Sequence, residues 1–287
     1  KRLIEEFFWV WPDPVEQGTE DKGLRALKTG KVYAALAHWR LCAQRTEPDP
    51  IAVHNLAVVS HLVALDHENG TPPPPAPGLL AANPTALWKA SIGYWRQLLG
   101  LQTFWALFAA RITLRDEQLH PEELAESLRR QLLTFLITIN ARIAAAYAVA
   151  GNGSAAQQHV ALIQDFRPRP DVIRDVLAAA SAPWRARVVK LCQETLQQMG
   201  EKEKDGAALA ERLLTDTDPS MRSLKNLYGQ DSEGYASVCD ELAGAVLACA
   251  VRFGNTTEDW HSVQLLLDRA LQYVTTESMR VRVRENQ

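Results

Sequence analysis

Apolar residues recur along this chain at the three- and four-residue spacing of helical faces, and alternating Val/Ile/Thr runs are nearly absent. Ala, Leu, Gln, Glu and Arg dominate, and these residues favour helix. The pattern predicts helices at about 1–10, 15–28, 31–46, 51–67, 84–99, 102–116, 121–150, 153–166, 170–180, 183–200, 202–215, 219–227, 233–253, 258–273 and 276–286. Joined by short loops, they form an all-α chain of helices in antiparallel pairs. The clearest break is "ENGTPPPPAPG" (68–78), whose four consecutive prolines favour an extended path and exclude a helix interior. It is expected to be an exposed spacer, with a ligand for a proline-binding domain as the other reading. "RPRP" (167–170) and "GEKEKDG" (200–206) are shorter breaks.

One stretch departs from the helical pattern. In "EEFFWVWPDP" (5–14), four of the six residues from Phe7 to Pro12 are aromatic, in a chain that is 7% aromatic. Such a run needs a partner surface: a membrane, a bound protein or the rest of this chain. It is too short to anchor in a bilayer, and no basic amphipathic helix supports it. Phe7, Phe8 and Trp11 are expected to cap the exposed end of the first helical repeat, with Pro12 and Pro14 stopping the helix.

Internal similarity sets the expected architecture. In "GLRALKTGKVYAALAHWRLCAQRTEPDPIAVHNLAVV" (23–59), Gly23 lies on a first helix, Gly30 at a turn, and Ala35, Trp39 and Cys42 on a second helix. Ala57 follows Gly23 by thirty-four residues. This spacing resembles the tetratricopeptide repeat (TPR), whose period is 34. It returns at 139–163 (Ile143, Ala144, Tyr147, Gly151, Ala156), and more loosely at 243–273 (Ala248, Gly254, Val263, Leu267, Ala270). "SIGYWRQLL" (91–99) resembles "ALAHWRLCA" (35–43) in both its Trp and its Arg. The resemblance implies an irregular TPR-like α-solenoid. The expected organisation is a capping or junction helix at 1–14, repeats at 15–67, a Pro-rich linker at 68–83 and helical repeats at 84–287, TPR-like at 139–166 and 243–286.

Composition narrows the partners. Hydrophobic residues make up 47% and charged residues 23%, and the net charge of −3 gives no reason to expect nucleic acid or an acidic membrane surface. No apolar run is expected to approach the roughly 18–20 residues that cross a bilayer, and no leader pattern is evident. Cys42, Cys192, Cys239 and Cys249 include no CxxC pair and lie in apolar helical segments, so they are expected to be reduced and buried, in a cytoplasmic protein. The chain opens on Lys, and both ends run into helix-like sequence, which points to a piece of a longer protein.

Candidate chemistry is sparse. Neither HExxH, a zinc-type Cys/His spacing nor GxSxG occurs, and "GNGS" (151–154) lacks the preceding strand of a phosphate loop and is expected to be a turn. His54 and His61 share a helix face but sit about 10 Å apart along the axis, too far for one metal without a third element. Adjacent carboxylates such as Asp240 and Glu241 point to different faces. No enzyme, no cofactor and no metal are expected.

Binding has better support. By resemblance to TPR proteins, whose first helices line a concave groove, the helix at 51–66 presents Ile51, His54, Asn55, Val58, His61 and Leu62. In co-chaperone members an asparagine on this helix holds the backbone or carboxylate of a peptide tail, and Asn55 fits that place. The family's carboxylate clamp also needs Lys and Asn on the preceding helix, where this chain has Gln17 and Asp21, so the resemblance does not extend to an acidic-tail clamp. Asn55 thus has two readings: a groove contact, or an amide that satisfies neighbouring backbone. The partner-binding candidates are His54, Asn55, Val58, His61 and Leu62, facing another protein or peptide.

Residues 2–14, "RLIEEFFWVWPDP", resemble the junction between a small N-terminal module and helical repeats in bacterial J-domain (Hsp40-type) proteins, although the chain has no HPD tripeptide. That implies the client- or partner-binding part of a co-chaperone, with the Hsp70 system among its partners. The alternative is a regulatory or sensor part of a larger enzyme or defence complex.

Overall fold

The computed structural model describes residues 7–11, 22–72, 84–113, 120–230 and 232–287. Every regular element among them is a helix, so the chain is all-α. Residues 1–6 and 12–14 of the expected cap, Gln17 and Asp21, and residues 73–83 of the Pro-rich segment lie outside the described residues.

The chain divides into two compact units, Lys1–Ile137 with Gln164–Pro168, and Thr138–Ile163 with Arg169–Gln287. The first unit holds α1 (Lys22–Lys28), α2 (Val32–Ala43), α3 (Pro50–Glu68), α4 (Pro84–Gly100), α5 (Gln102–Thr113) and the first part of α6 (Pro121–Val149). Consecutive helices from α1 to α4 pack on one another, and α3 also meets α5. The Pro-rich segment therefore connects two directly packed helices within one unit.

The sequence of α3 explains its central place. Asp49 caps its N-terminus by accepting hydrogen bonds from the Ile51 and Ala52 amides at 2.9 and 3.3 Å, and Pro50 occupies the first turn, where no amide is needed. Almost every following residue is apolar or small, and Ile51–His61 is buried without interruption. A helix that is apolar on all sides is stable only when covered on all sides. Gly70, in the left-handed region at φ +71°, turns the chain out of it.

The second unit holds the rest of α6, most of α7 (Gly153–Asp165), α8 (Pro170–Glu201), α9 (Gly206–Tyr228), α10 (Glu233–Thr257), α11 (Trp260–Leu271) and α12 (Glu277–Arg284). Helix α10 packs against α8, α9, α11 and α12. Its core includes Cys192, Leu213, Leu224, Leu242, Val246 and Leu267. The expected breaks at Pro183 and Pro219 do not occur: α8 runs from 170 to 201 and α9 from 206 to 228. An internal proline removes one helical hydrogen bond. On both sides of each proline the inward residues are buried, Leu177 and Val188 in α8, Leu214 and Leu224 in α9, and that burial keeps the helix continuous.

All four cysteines are free and buried, and burial pushes the Cys192 thiol up to about 12 and the Cys249 thiol up to about 11, so both are protonated. By length and composition, two helices could cross a bilayer, Glu122–Val149 and Glu233–Thr257, with 39% and 50% of their most apolar windows buried. Both are longer than any apolar stretch expected from the sequence, because a helical window tolerates an isolated charge such as Arg142. Core helices of globular domains share this composition.

Candidate functional site

The site assembles around the face of α3 that carries His54 and Asn55. The carboxamide of Asn55 is fully buried and pairs with both backbone groups of one distant residue. Trp11 N–H donates to Asn55 Oδ1 at 2.8 Å, and Asn55 Nδ2 donates to the Trp11 carbonyl at 2.7 Å. The carbonyl partner fixes which end of the amide is nitrogen. One side chain thus satisfies the two groups that a strand or helix neighbour would otherwise satisfy.

His54, the preceding residue, extends the grip. Its Nε2 lies 2.6 Å from the Phe7 carbonyl, an acceptor, so Nε2 carries the proton. Burial is the main force lowering its pKa to about 4; the Phe7 carbonyl and the Asn55 oxygen, both acceptors, favour the charged ring and oppose this, and the positive Arg111 adds to it. The ring is therefore neutral at pH 7, and Nδ1, 3.3 Å from Asn55 Oδ1, is a contact rather than a donor.

Rings complete the enclosure. Phe7 is fully buried, with centroid distances of 5.1 Å to His54, 6.2 Å to Trp95, 6.0 Å to Trp105 and 5.6 Å to Phe108. Trp11 stacks at 5.5 Å on Phe104 and 5.8 Å on Phe108, and the Arg111 guanidinium sits 4.4 Å above its ring. Residues between them are less committed: Phe8 and Val10 are half-buried, and Trp9 is 63% exposed. The aromatic run, expected against the end of the first repeat, makes these contacts with α3, α4 and α5.

The five candidate residues are placed unequally. His54, Asn55 and Val58 are fully buried, His61 is 2% exposed and Leu62 is 46% exposed. His61 lies edge-on to Trp88 and Trp95 at 5.3 and 6.0 Å. Its Nε2 has no hydrogen-bond partner, and neither do Ser91 Oγ and Trp95 Nε1 on the facing helix α4. Burial alone lowers its pKa to about 4. Behind Asn55 lies a void of about 10 Å³ lined by Trp39, Cys42, Ile51 and Ala52 among others, room for about one water molecule. This face of α3 is covered by the chain's own Phe7 and Trp11.

The sequence reading did not include Phe104, Trp105, Phe108 and Arg111. A usable signal was present: Phe104, Trp105 and Phe108 repeat the i, i+1, i+4 spacing of Phe7, Phe8 and Trp11. Two aromatic clusters of the same spacing in a chain poor in aromatics are candidates to pair.

No family model, curated protein or solved structure matches this chain. The TPR resemblance therefore rests on residue spacing, and the J-domain resemblance on the stretch at residues 2–14. No group of three or more His, Cys, Asp or Glu suited to a metal occurs among the described residues. Asp240, one of the adjacent carboxylates, accepts from the Thr275 and Thr276 amides at 2.9 and 3.3 Å at the start of α12.

The Asn55 geometry has a measurable consequence. Asn55→Ala removes both hydrogen bonds from its side chain to the Trp11 backbone and is expected to cost about 1–3 kcal/mol. The Trp11 amide should lose its protection from hydrogen exchange. Undiminished protection would show that the rings alone hold the segment.

Proposed function

We propose that this protein is a non-catalytic interaction scaffold, an irregular TPR-like helical array that holds a peptide segment of a partner protein against the α3 face. The observation that carries this is the two-point grip of Asn55 on the backbone of Trp11. A side chain that binds main chain rather than a particular side chain suits a segment supplied by another chain as well as by this one. The TPR-like repeat is supported by two close approaches at the glycines that carry the resemblance. A Cβ on Gly23 would lie 2.4 Å from Trp39 Nε1, and one on Gly254 would lie 2.8 Å from Val263. Small residues at such positions are what paired repeat helices require. Through the resemblance of residues 2–14 to the J-domain junction, the Hsp70 system is the partner to test first.

Leu62 offers the test, because it shares the helix with His54 and Asn55 and is exposed. A photo-crosslinking residue at Leu62 in the full chain, irradiated in its own cells, is expected to yield a discrete protein adduct that Asn55→Ala abolishes. Irradiation that gives no adduct, or one indifferent to Asn55, would exclude this face as the partner site.

A further inference from the structure

The occupied groove displays its own selectivity, since it grips some features of Phe7–Trp11 and ignores others. It holds the Phe7 carbonyl through His54 and both backbone groups of Trp11 through Asn55. It encloses the Phe7 and Trp11 rings and leaves Trp9 63% exposed. The grip therefore reads main chain plus two enclosed aromatic side chains four residues apart; half-buried Phe8 adds ring contacts to Trp95 and Phe135 at 5.8 and 5.5 Å, and Trp9 contributes little.

We propose that the groove selects partner peptides carrying Phe and Trp four residues apart, and that Phe7–Trp11 is their displaceable internal competitor. The proposal rests on reading the α3 face as a peptide groove. A ligand on the same chain acts at an effective concentration in the millimolar range for a short connection. A free peptide of equal intrinsic affinity then binds weakly until the internal segment is loosened. The positive Arg111 above the Trp11 ring favours an aromatic side chain in that slot over an aliphatic one. The internal segment thus keeps an aromatic-lined groove covered, and a partner gains access by substituting ring for ring and backbone for backbone.

The probe is a fluorophore-labelled synthetic peptide with the sequence of residues 5–14, followed by anisotropy with the full chain. The Trp11→Ala chain is expected to bind it at least tenfold more tightly than the unaltered chain. Adding Asn55→Ala should abolish that binding, as should alanine at both the Phe7 and Trp11 positions of the peptide. If the Trp11→Ala chain does not fold, a specific protease site placed within residues 12–21 replaces it. After cleavage, the labelled peptide should displace the freed N-terminal piece. Equal weak binding by both chains, no displacement after cleavage, or a segment-exchanged dimer in place of peptide uptake would overturn the proposal. The Leu62 experiment separates the two ideas: peptide exchange without an adduct shows a selective groove that holds no partner protein in its own cells and removes the scaffold, and an adduct without exchange shows a partner site whose selectivity is not that of Phe7–Trp11.

Discussion

Replacing Phe7 and Trp11 together with alanine is expected to lower the stability of the first unit by several kcal/mol. Truncating one buried aromatic side chain typically costs about 3–5 kcal/mol, from lost transfer energy and the cavity left behind. Both rings are buried, and they share His54, Phe104 and Phe108 as neighbours. The two losses should therefore add to less than their sum. Trp9→Ala is the control: its ring is 63% exposed, so the change should stay within about 0.5 kcal/mol. Denaturant unfolding gives the magnitude, and hydrogen exchange gives the place: α3, α4 and α5 should lose protection. An unchanged unfolding midpoint in the double variant, with partner binding lost, would make the run an interaction surface rather than part of the core.

Acid should weaken the same unit. His54 and His61 are both held near pKa 4, from an ordinary 6.5, chiefly by burial. Above pH 6.5 these rings are neutral in the folded and unfolded chains alike, and the full stability is present. Between pH 6.5 and 4 the unfolded chain takes up protons that the folded chain refuses, so stability falls by about 1.4 kcal/mol per pH unit for each ring. Below pH 4 both states are protonated and these two groups contribute no further loss. Each ring thus accounts for about 3 kcal/mol over the window, an order-of-magnitude figure. His61→Leu isolates one of them. Because His61 Nε2 has no partner, this variant should keep its stability at pH 7 and lose about half of the histidine-linked acid slope. An unchanged slope would show that His61 is not the buried neutral ring described above.

Much of the fold was legible because helices advertise themselves locally. Asp49–Pro50 marks the start of α3, Gly70 lies just past its end, and the uninterrupted apolar content between them specifies a covered helix. The boundaries failed at Pro183 and Pro219, where burial of the flanking turns outweighs the local cost of proline. The five candidate residues were chosen for a shared face, which periodicity reveals. That four of them would be buried and Leu62 exposed depends on what lies across from that face, which periodicity does not reveal.

Asn55 shows where the two kinds of information meet. By itself the sequence determined an all-α chain, a helix with His54 and Asn55 on one face, and an aromatic run that had to be covered, because side-chain periodicity and apolar content act over a few residues. Only the tertiary structure decided that the run and the helix are each other's partners. Hydrogen bonds between residues 11 and 55, and ring contacts from residue 7 to residues 95 and 105, span separations that leave no local pattern. Closing such loops costs entropy that no short stretch of sequence records, and burial of the facing rings and backbone groups offsets it.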